Sequence, residues 1–469
     1  MFDSKVRPIH NSILPSKQQF ALRKATAHEI NYEAICIFVA TGFFMDDDTY
    51  WKDQICLKPA HNHELNTSGE LLTSTPNFEW HYSPRNITFE QVLEEYIGLL
   101  TTIIKEQVKD HPVILPLSGG LDSRSQAMVL KELNNNVHSY SYAFPGGYPE
   151  HKISEKIAKY CGFSFDAFFI GKGYLWNSID ELADLNKCYS EFTHSRQMAI
   201  LDELKAMNGV FSLGHWGDVL FDRGVPEGTE SGEVVLVVLK KMLKPGGLEL
   251  ANKLWEAWGL DGQFKDYLIG RVETALSQIK IDNLSAKVRA FKTSQWAHRW
   301  TTTNLSIFEE AAPITLPYYD NRMIEFICSI PEEYLADRKL QISHIRKDAT
   351  LSNIVWHQNK PFNLNTYHKN KAPYNLPYRV FNKMKREFNN LVGNPYIQRN
   401  FEIQFMGKDN DQRLYQYLMN MDANGVLPKS VVEYFYQKFK SPDYVYYSHP
   451  ISMLLTLSVW QNKNHIISQ

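Results

Sequence analysis

The chemistry in this 469-residue chain begins at VILPLSGGLDSRSQ, where an apolar, β-type run leads into Ser118, Gly119, Gly120, Leu121, Asp122 and Ser123 and then into a helical pattern. Two glycines let the backbone approach a ligand closely, two hydroxyls offer donors, and a helix N-terminus adds free amides and the positive end of its dipole. Together they make a cradle for an anion. Asp122 sharpens the reading, because a carboxylate beside polyphosphate is repulsive unless a divalent cation lies between them, and magnesium is therefore implied. No G-x-x-x-x-G-K-[ST] occurs in the chain, so this is not the P-loop of phosphoryl-transferring NTPases.

The elements that must hold this loop are legible around it. Thr88 and Gln91 make a capping-box pattern ahead of an amphipathic run carrying Val92, Leu93, Tyr96, Leu99, Leu100, Ile103 and Ile104, which predicts a helix of some twenty residues. From Pro112 strands (VILPL, HSYSYAF, FDAFFI, GVFSL) alternate with helices (122–133, EHKISEKIAKYCG, and 194–207 with Thr193 or Ser195 as N-cap). Such alternation predicts an α/β fold, a doubly wound parallel sheet covered on both faces, with ligands at the carboxyl ends of its strands. Residues 1–87 read as short strands and turns, with EAICIFVATGFF as an apolar strand and FEWHY (78–82) as an edge strand. From about 225 to 469 the pattern is mostly helical, and the basic stretch KMKREF (383–388) reads as a solvated helix face.

Composition excludes several classes. With 43% hydrophobic and 22% charged residues the chain can bury a sizeable core. Fifty basic against 52 acidic side chains give a net charge of -2, without the basic excess of a general nucleic-acid binder. Cys36, Cys56, Cys161, Cys188 and Cys328 are widely spaced and contain no C-x-x-C, which disfavours a disulfide framework, a zinc ribbon and a dithiol redox site. The start MFDSKVRPIHNS lacks the apolar stretch of a signal peptide, and the longest aliphatic run, 234–239, is too short to span a bilayer. A reducing, cytoplasmic setting is expected.

The S-G-G-L-D-S loop resembles the PP-loop of ATP pyrophosphatases, in the form used by asparagine-synthetase-like enzymes. Further segments resemble that family in order: AFPGGYPEHKISEKIAKYCG its second strand and helix, SLGHWGDVLFDRG its S-G-E-G-x-D-E-L-F-G-G motif, LPYYDNRMIEF its P-F-L-D-x-R-L-V-E-F segment, HQNKPF its R-x-K-x-G-F segment, and HPISMLLTLSVWQNK its closing helix. The resemblance implies ATP and Mg2+ as cofactors. It places Leu117, Tyr142 and Gly214 with residues 118–123 around the nucleotide, Asp218 beside Asp122 on magnesium, and Lys360 facing the acyl phosphate. Arg196 is a further candidate, for a substrate carboxylate or phosphate.

Two departures shape the expected activity. Glutamine-hydrolysing members begin with a cysteine nucleophile, whereas this chain begins Met1, Phe2, Asp3, so residues 1–87 read as a truncated, degenerate amidotransferase remnant ahead of a synthetase domain at 88–469. Where the family carries a glutamate after the first glycine, this chain has His215, a candidate for contact with the incoming amine. The expectation is an AMP-forming carbon-nitrogen ligase. It would activate a small-molecule, sugar-acid or peptide carboxylate as an acyl adenylate and pass it to an amine or to ammonia from a separate partner, in glycan, peptide or secondary-metabolite biosynthesis. No nucleic acid and no membrane span are expected. The alternatives are an inactive nucleotide-binding scaffold and an asparagine synthetase using free ammonia; a tRNA-modifying PP-loop enzyme is disfavoured by the charge and the missing cysteine pairs.

Overall fold

The computed structural model describes residues 5–6, 20–24, 26–357, 360–392, 397–419 and 425–464. Met1, Phe2 and Asp3 lie outside them. Near the N-terminus, short antiparallel pairs join Phe20–Leu22 to Gln54–Cys56, and His61–Leu65 to both Lys5–Val6 and Leu71–Pro76. Two expectations fail here. EAICIFVATGFF is not a strand but lies largely in helix α1 (Tyr32–Thr41), capped by Asn31, which accepts from the Ala34 amide. Ala34 to Thr41 are all buried, and a helix buried all round has no polar face to show a 3.6-residue period, so its sequence is indistinguishable from a buried strand. FEWHY (78–82) forms no strand at all. α1 packs on the helix Gly247–Ala257 and shares its apolar core with the closing helix Tyr444–Lys463.

Helix α2 (Phe89–Val108) opens with the expected capping box. Thr88 accepts from the Gln91 amide while the Gln91 side chain accepts from the Thr88 amide, and Val92, Tyr96, Leu100, Ile103 and Ile104 form its buried stripe. The central sheet follows: β1 (Val113–Pro116), β2 (Val137–Ala143), β3 (Ser164–Phe169), β4 (Val210–Ser212) and β5 (Ile314–Thr315). Its order is β5-β4-β1-β2-β3 and every pairing is parallel, with Val113 opposite both Val137 and Val210. α3 (Leu121–Glu132) links β1 to β2, and α4 (His151–Cys161) links β2 to β3. The chain winds outward from β1 in both directions, so the sheet has a topological switch point between β1 and β4, where a crevice opens at the carboxyl ends. The α/β, doubly wound expectation holds.

The stretch 194–207 is less regular than expected. It consists of the 3-10 turns Phe192–His194 and Arg196–Ile200 followed by the helix Leu201–Ala206. Ser195 is the N-cap position of Arg196–Ile200 but its side chain makes no capping bond, and Thr193 lies within the first turn, where the Glu191 carboxylate caps by accepting from the Thr193 amide at 2.7 Å. The C-terminal half is mostly helical, with a π-wound segment at Lys292–Thr301, an antiparallel hairpin of β6 (Val355–His357) and β7 (Lys360–Asn363), and helix α5 (Leu376–Leu391). All five cysteines are buried and none is in a disulfide. No described helix is long and apolar enough to cross a membrane.

Candidate active site

The loop between β1 and α3 sits at the switch point and is closed by its own hydroxyls. The Ser118 and Ser123 hydroxyls lie 3.2 Å apart, the Ser118 amide donates to Ser123 Oγ, and the Gly120 amide donates to Ser118 Oγ. Gly120 is the N-cap position of α3, with no side chain to satisfy the first amides, and Leu121 begins the helix buried in the core. That leaves the helix terminus open to an anion. Gly119 is required by close approach: a Cβ there would stand 2.6 Å from the Trp356 carbonyl oxygen.

Asp122 lies on the first turn of α3, and the loop after β4 closes over it. A Cβ on Gly217 would collide with Asp122 Oδ1 at 2.1 Å, and one on Gly214 would stand 3.1 Å from Asp122 Cβ. The structure thus brings together Asp122, Gly214, His215 and Asp218. Burial raises the Asp122 carboxyl above the usual carboxylate range and the nearby Asp218 adds to that, while Arg338 and Gln341 oppose it. Arg338 forms an ion pair with Asp122 Oδ1, and Gln341 Nε2 donates to the same oxygen at 2.7 Å. Asp218 is exposed. Among the described residues no three His, Cys, Asp or Glu side chains gather to hold a metal by themselves. Two neighbouring carboxylates beside an anion cradle still suit magnesium, which commonly takes one or two carboxylates and completes its shell with phosphate oxygens and water.

His215 follows β4 with its ring edge-on to Phe308 at 5.8 Å. Its Nδ1 is buried without a hydrogen-bond partner. Burial pushes its pKa down to about 4 against the opposing pull of Asp218, so the imidazole is neutral near pH 7. A neutral ring with an unsatisfied nitrogen can accept a proton.

Lys360 reaches the site through a latch that the sequence did not reveal. The Arg124 guanidinium, fully buried, donates to four carbonyls: Gly119, Leu351, Ile354 and Val355, at 2.7 to 3.1 Å. One side chain therefore ties the loop to the strand before Lys360. Burial lowers the Arg124 pKa to about 10. Lys360 itself, on β7, lies 3.8 Å from the centre of the Trp356 ring. Burial lowers its pKa, and Arg338 adds to the effect, which places Lys360 and Arg338 in one electrostatic neighbourhood.

On the other flank, the Leu117 amide donates to the Tyr140 carbonyl and the Leu117 carbonyl accepts from Ser154, which fixes the entry to the loop. Tyr142 is half-buried near the end of β2, with the Arg196 guanidinium 5.5 Å from its ring centre and Nη1 3.5 Å from its hydroxyl. Arg338, Gln341 and Arg124 are the site residues that sequence reasoning missed. Arg338 has no local motif; its aim is set by Asp337 and Arg338 both adopting left-handed backbone, φ 56° and 58°.

Residues 96–208, which run from within α2 through the loop and α4 almost to β4, match the family model for asparagine synthase. Among solved structures the chain is similar to NMN synthetase from Francisella tularensis, at 10% sequence identity and a TM-score of 0.22 over 44% of this chain and 93% of that one. No curated protein matches the chain.

Proposed function

We propose that residues 88–469 form an ATP-dependent amidating ligase, which activates a substrate carboxylate as an acyl adenylate with release of pyrophosphate and transfers the acyl group to an amine or to ammonia. The observation that carries the reading is the juxtaposition of Asp122 and Asp218 across the switch point, beside an open helix terminus and a lysine latched to the same loop. The amides at the start of α3 and the hydroxyls of Ser118 and Ser123 bind the polyphosphate. Asp122 and Asp218 would hold magnesium, which would supply neutralising charge for the departing pyrophosphate. Lys360, partly stripped of water, offers its charge to the oxyanion formed as the carboxylate attacks the α-phosphorus and again as the amine attacks the adenylate. His215, neutral at the site's edge, takes the proton that the amine loses. Tyr142 and Leu117 border the nucleoside, and Arg196 beside Tyr142 steadies an anionic group.

The substrate belongs to specialised biosynthesis: a sugar acid, a peptide or another small carboxylic acid, with the amine or ammonia supplied separately, in a cytoplasmic setting. The test is pyrophosphate release and AMP formation from ATP and Mg2+ against a panel of such acids with ammonia or amines. Acid-dependent formation of AMP and pyrophosphate supports the ligase. ATP binding without turnover on any acid would favour the inactive scaffold, and formation of ADP and phosphate would refute the AMP-forming chemistry.

A further inference from the structure

Helix α5 is amphipathic in the wrong sense for a helix of a folded body. With about 100° between successive residues, Leu376, Val380, Phe381, Met384, Phe388 and Leu391 project from one arc of less than half the circumference. A surface helix normally turns such an arc inward. Here it faces out: Val380 is 58% exposed, Phe381 66%, Met384 66%, Phe388 62% and Leu391 86%. The half-buried residues are the polar ones, Tyr378, Asn382, Arg386 and Asn389. None of the apolar residues joins a hydrophobic cluster, and no described element packs extensively along the helix. KMKREF, expected as a solvated face, is indeed on a helix at the surface, but Met384 and Phe388 are solvated along with Lys383 and Lys385.

The charges identify what covers this face. Lys383 and Lys385 are exposed and stand at the two opposite margins of the apolar arc. Lysines so placed can bury their methylene stems with the apolar residues while their ammonium groups reach upward to an anionic surface. Arg379 is exposed as well; Glu387, the helix's one acidic residue, is exposed and projects within the apolar arc between Leu376 and Val380, one turn from Lys383. Sixteen residues span about 24 Å, long enough to lie in a bilayer interface and too charged to cross it. A second copy of the helix would set like-charged margins against one another, which disfavours self-pairing.

From this arrangement we infer that α5 is an in-plane membrane contact, through which the protein docks reversibly on an anionic lipid surface. The apolar arc enters the acyl boundary, and Lys383, Lys385 and Arg379 pair with lipid phosphates. This does not depend on the ligase reading, since it rests on α5 alone.

The test is co-sedimentation of the full chain with vesicles of phosphatidylcholine alone or mixed with phosphatidylglycerol. Binding is expected on the mixed vesicles, weakening with added salt and weak on phosphatidylcholine alone. The double substitutions Phe381→Glu with Phe388→Glu, and Lys383→Glu with Lys385→Glu, should each lower the partition by about tenfold or more. A Phe381→Trp variant, which needs no disruptive change, should shift its emission to the blue on mixed vesicles. Three results would overturn the inference: no binding to mixed vesicles, binding that survives the Phe381→Glu, Phe388→Glu change, or a lipid-free dimer that the same change dissolves, which would make a second copy the occupant.

Discussion

Arg338 is paired with Asp122, the carboxylate proposed above to hold magnesium. Both side chains are largely shielded, 14% and 21% exposed, so the guanidinium neutralises Asp122 until a metal competes for it. Arg338→Ala should therefore lower the Mg2+ concentration needed for half-maximal activity several-fold, because the ion no longer displaces an internal cation. A magnesium titration of pyrophosphate release measures this; an unchanged or raised requirement would show that Arg338 serves the nucleotide instead.

Asp122→Asn keeps the shape and removes the charge. Pyrophosphate release should fall by at least about 10²-fold while the melting temperature stays near that of the parent, since an uncharged amide cannot replace a carboxylate on magnesium. Retained turnover would remove Asp122 from the site.

Arg124 should be felt in two places at once. Arg124→Met leaves four buried carbonyls without their donor, which should cost about 3 kcal/mol in denaturant unfolding. The sharper measurement is hydrogen exchange: amides of both the 118–123 loop and the 351–357 segment that carries β6 should exchange faster in the variant, because one side chain fastens both. Loosening of only one segment would mean that they are not coupled.

His215→Ala should separate the two half-reactions. If the imidazole takes the amine's proton, amide formation falls by about 10²–10⁴-fold while ATP-pyrophosphate exchange persists. Equal loss in both assays, or in neither, would make His215 a packing residue.

A different histidine predicts acid sensitivity. His344 is fully buried, edge-on to Tyr96, with neither ring nitrogen hydrogen-bonded. Burial, helped by Lys347, lowers its pKa from 6.5 to about 4. The unfolded chain therefore binds the extra proton first as pH falls, so stability is complete above about pH 6.5 and is lost progressively toward pH 4, by up to about 3 kcal/mol from this group. His344→Leu should remove that part of the slope when unfolding free energies at pH 8 and pH 5 are compared.

The sequence is most readable where a local rule acts alone. The capping box at Thr88 and Gln91, the strand feeding Ser118 and the β2-α4-β3 alternation are set by neighbours within a few residues, and the structure has them within a residue or two. It is least readable where burial removes periodicity, as in α1, or where an element is defined only by its partner, as β5 is by two residues beside β4. The site divides in the same way. Asp122, His215 and Asp218 come together because two loops leave adjacent strands, which motif order can suggest. Arg338, more than two hundred residues from Asp122, and the four carbonyls gathered by Arg124 are products of tertiary packing that no spacing encodes. The outward apolar arc of α5 inverts the usual rule that apolar residues point into the body.

Arg124 also carries a charge that the fold leaves unbalanced. Its described partners are all carbonyls, and no carboxylate pairs with it although it is fully buried under the 118–123 loop. On the proposed function, an anion seated on the loop would balance a cation that the chain does not balance itself. Sulfate, phosphate or triphosphate should each raise the unfolding temperature by more than a neutral osmolyte at equal concentration, and Arg124→Met should abolish the difference. On the proposed function, a bound nucleotide would complete the protein's internal electroneutrality as well as enter the reaction.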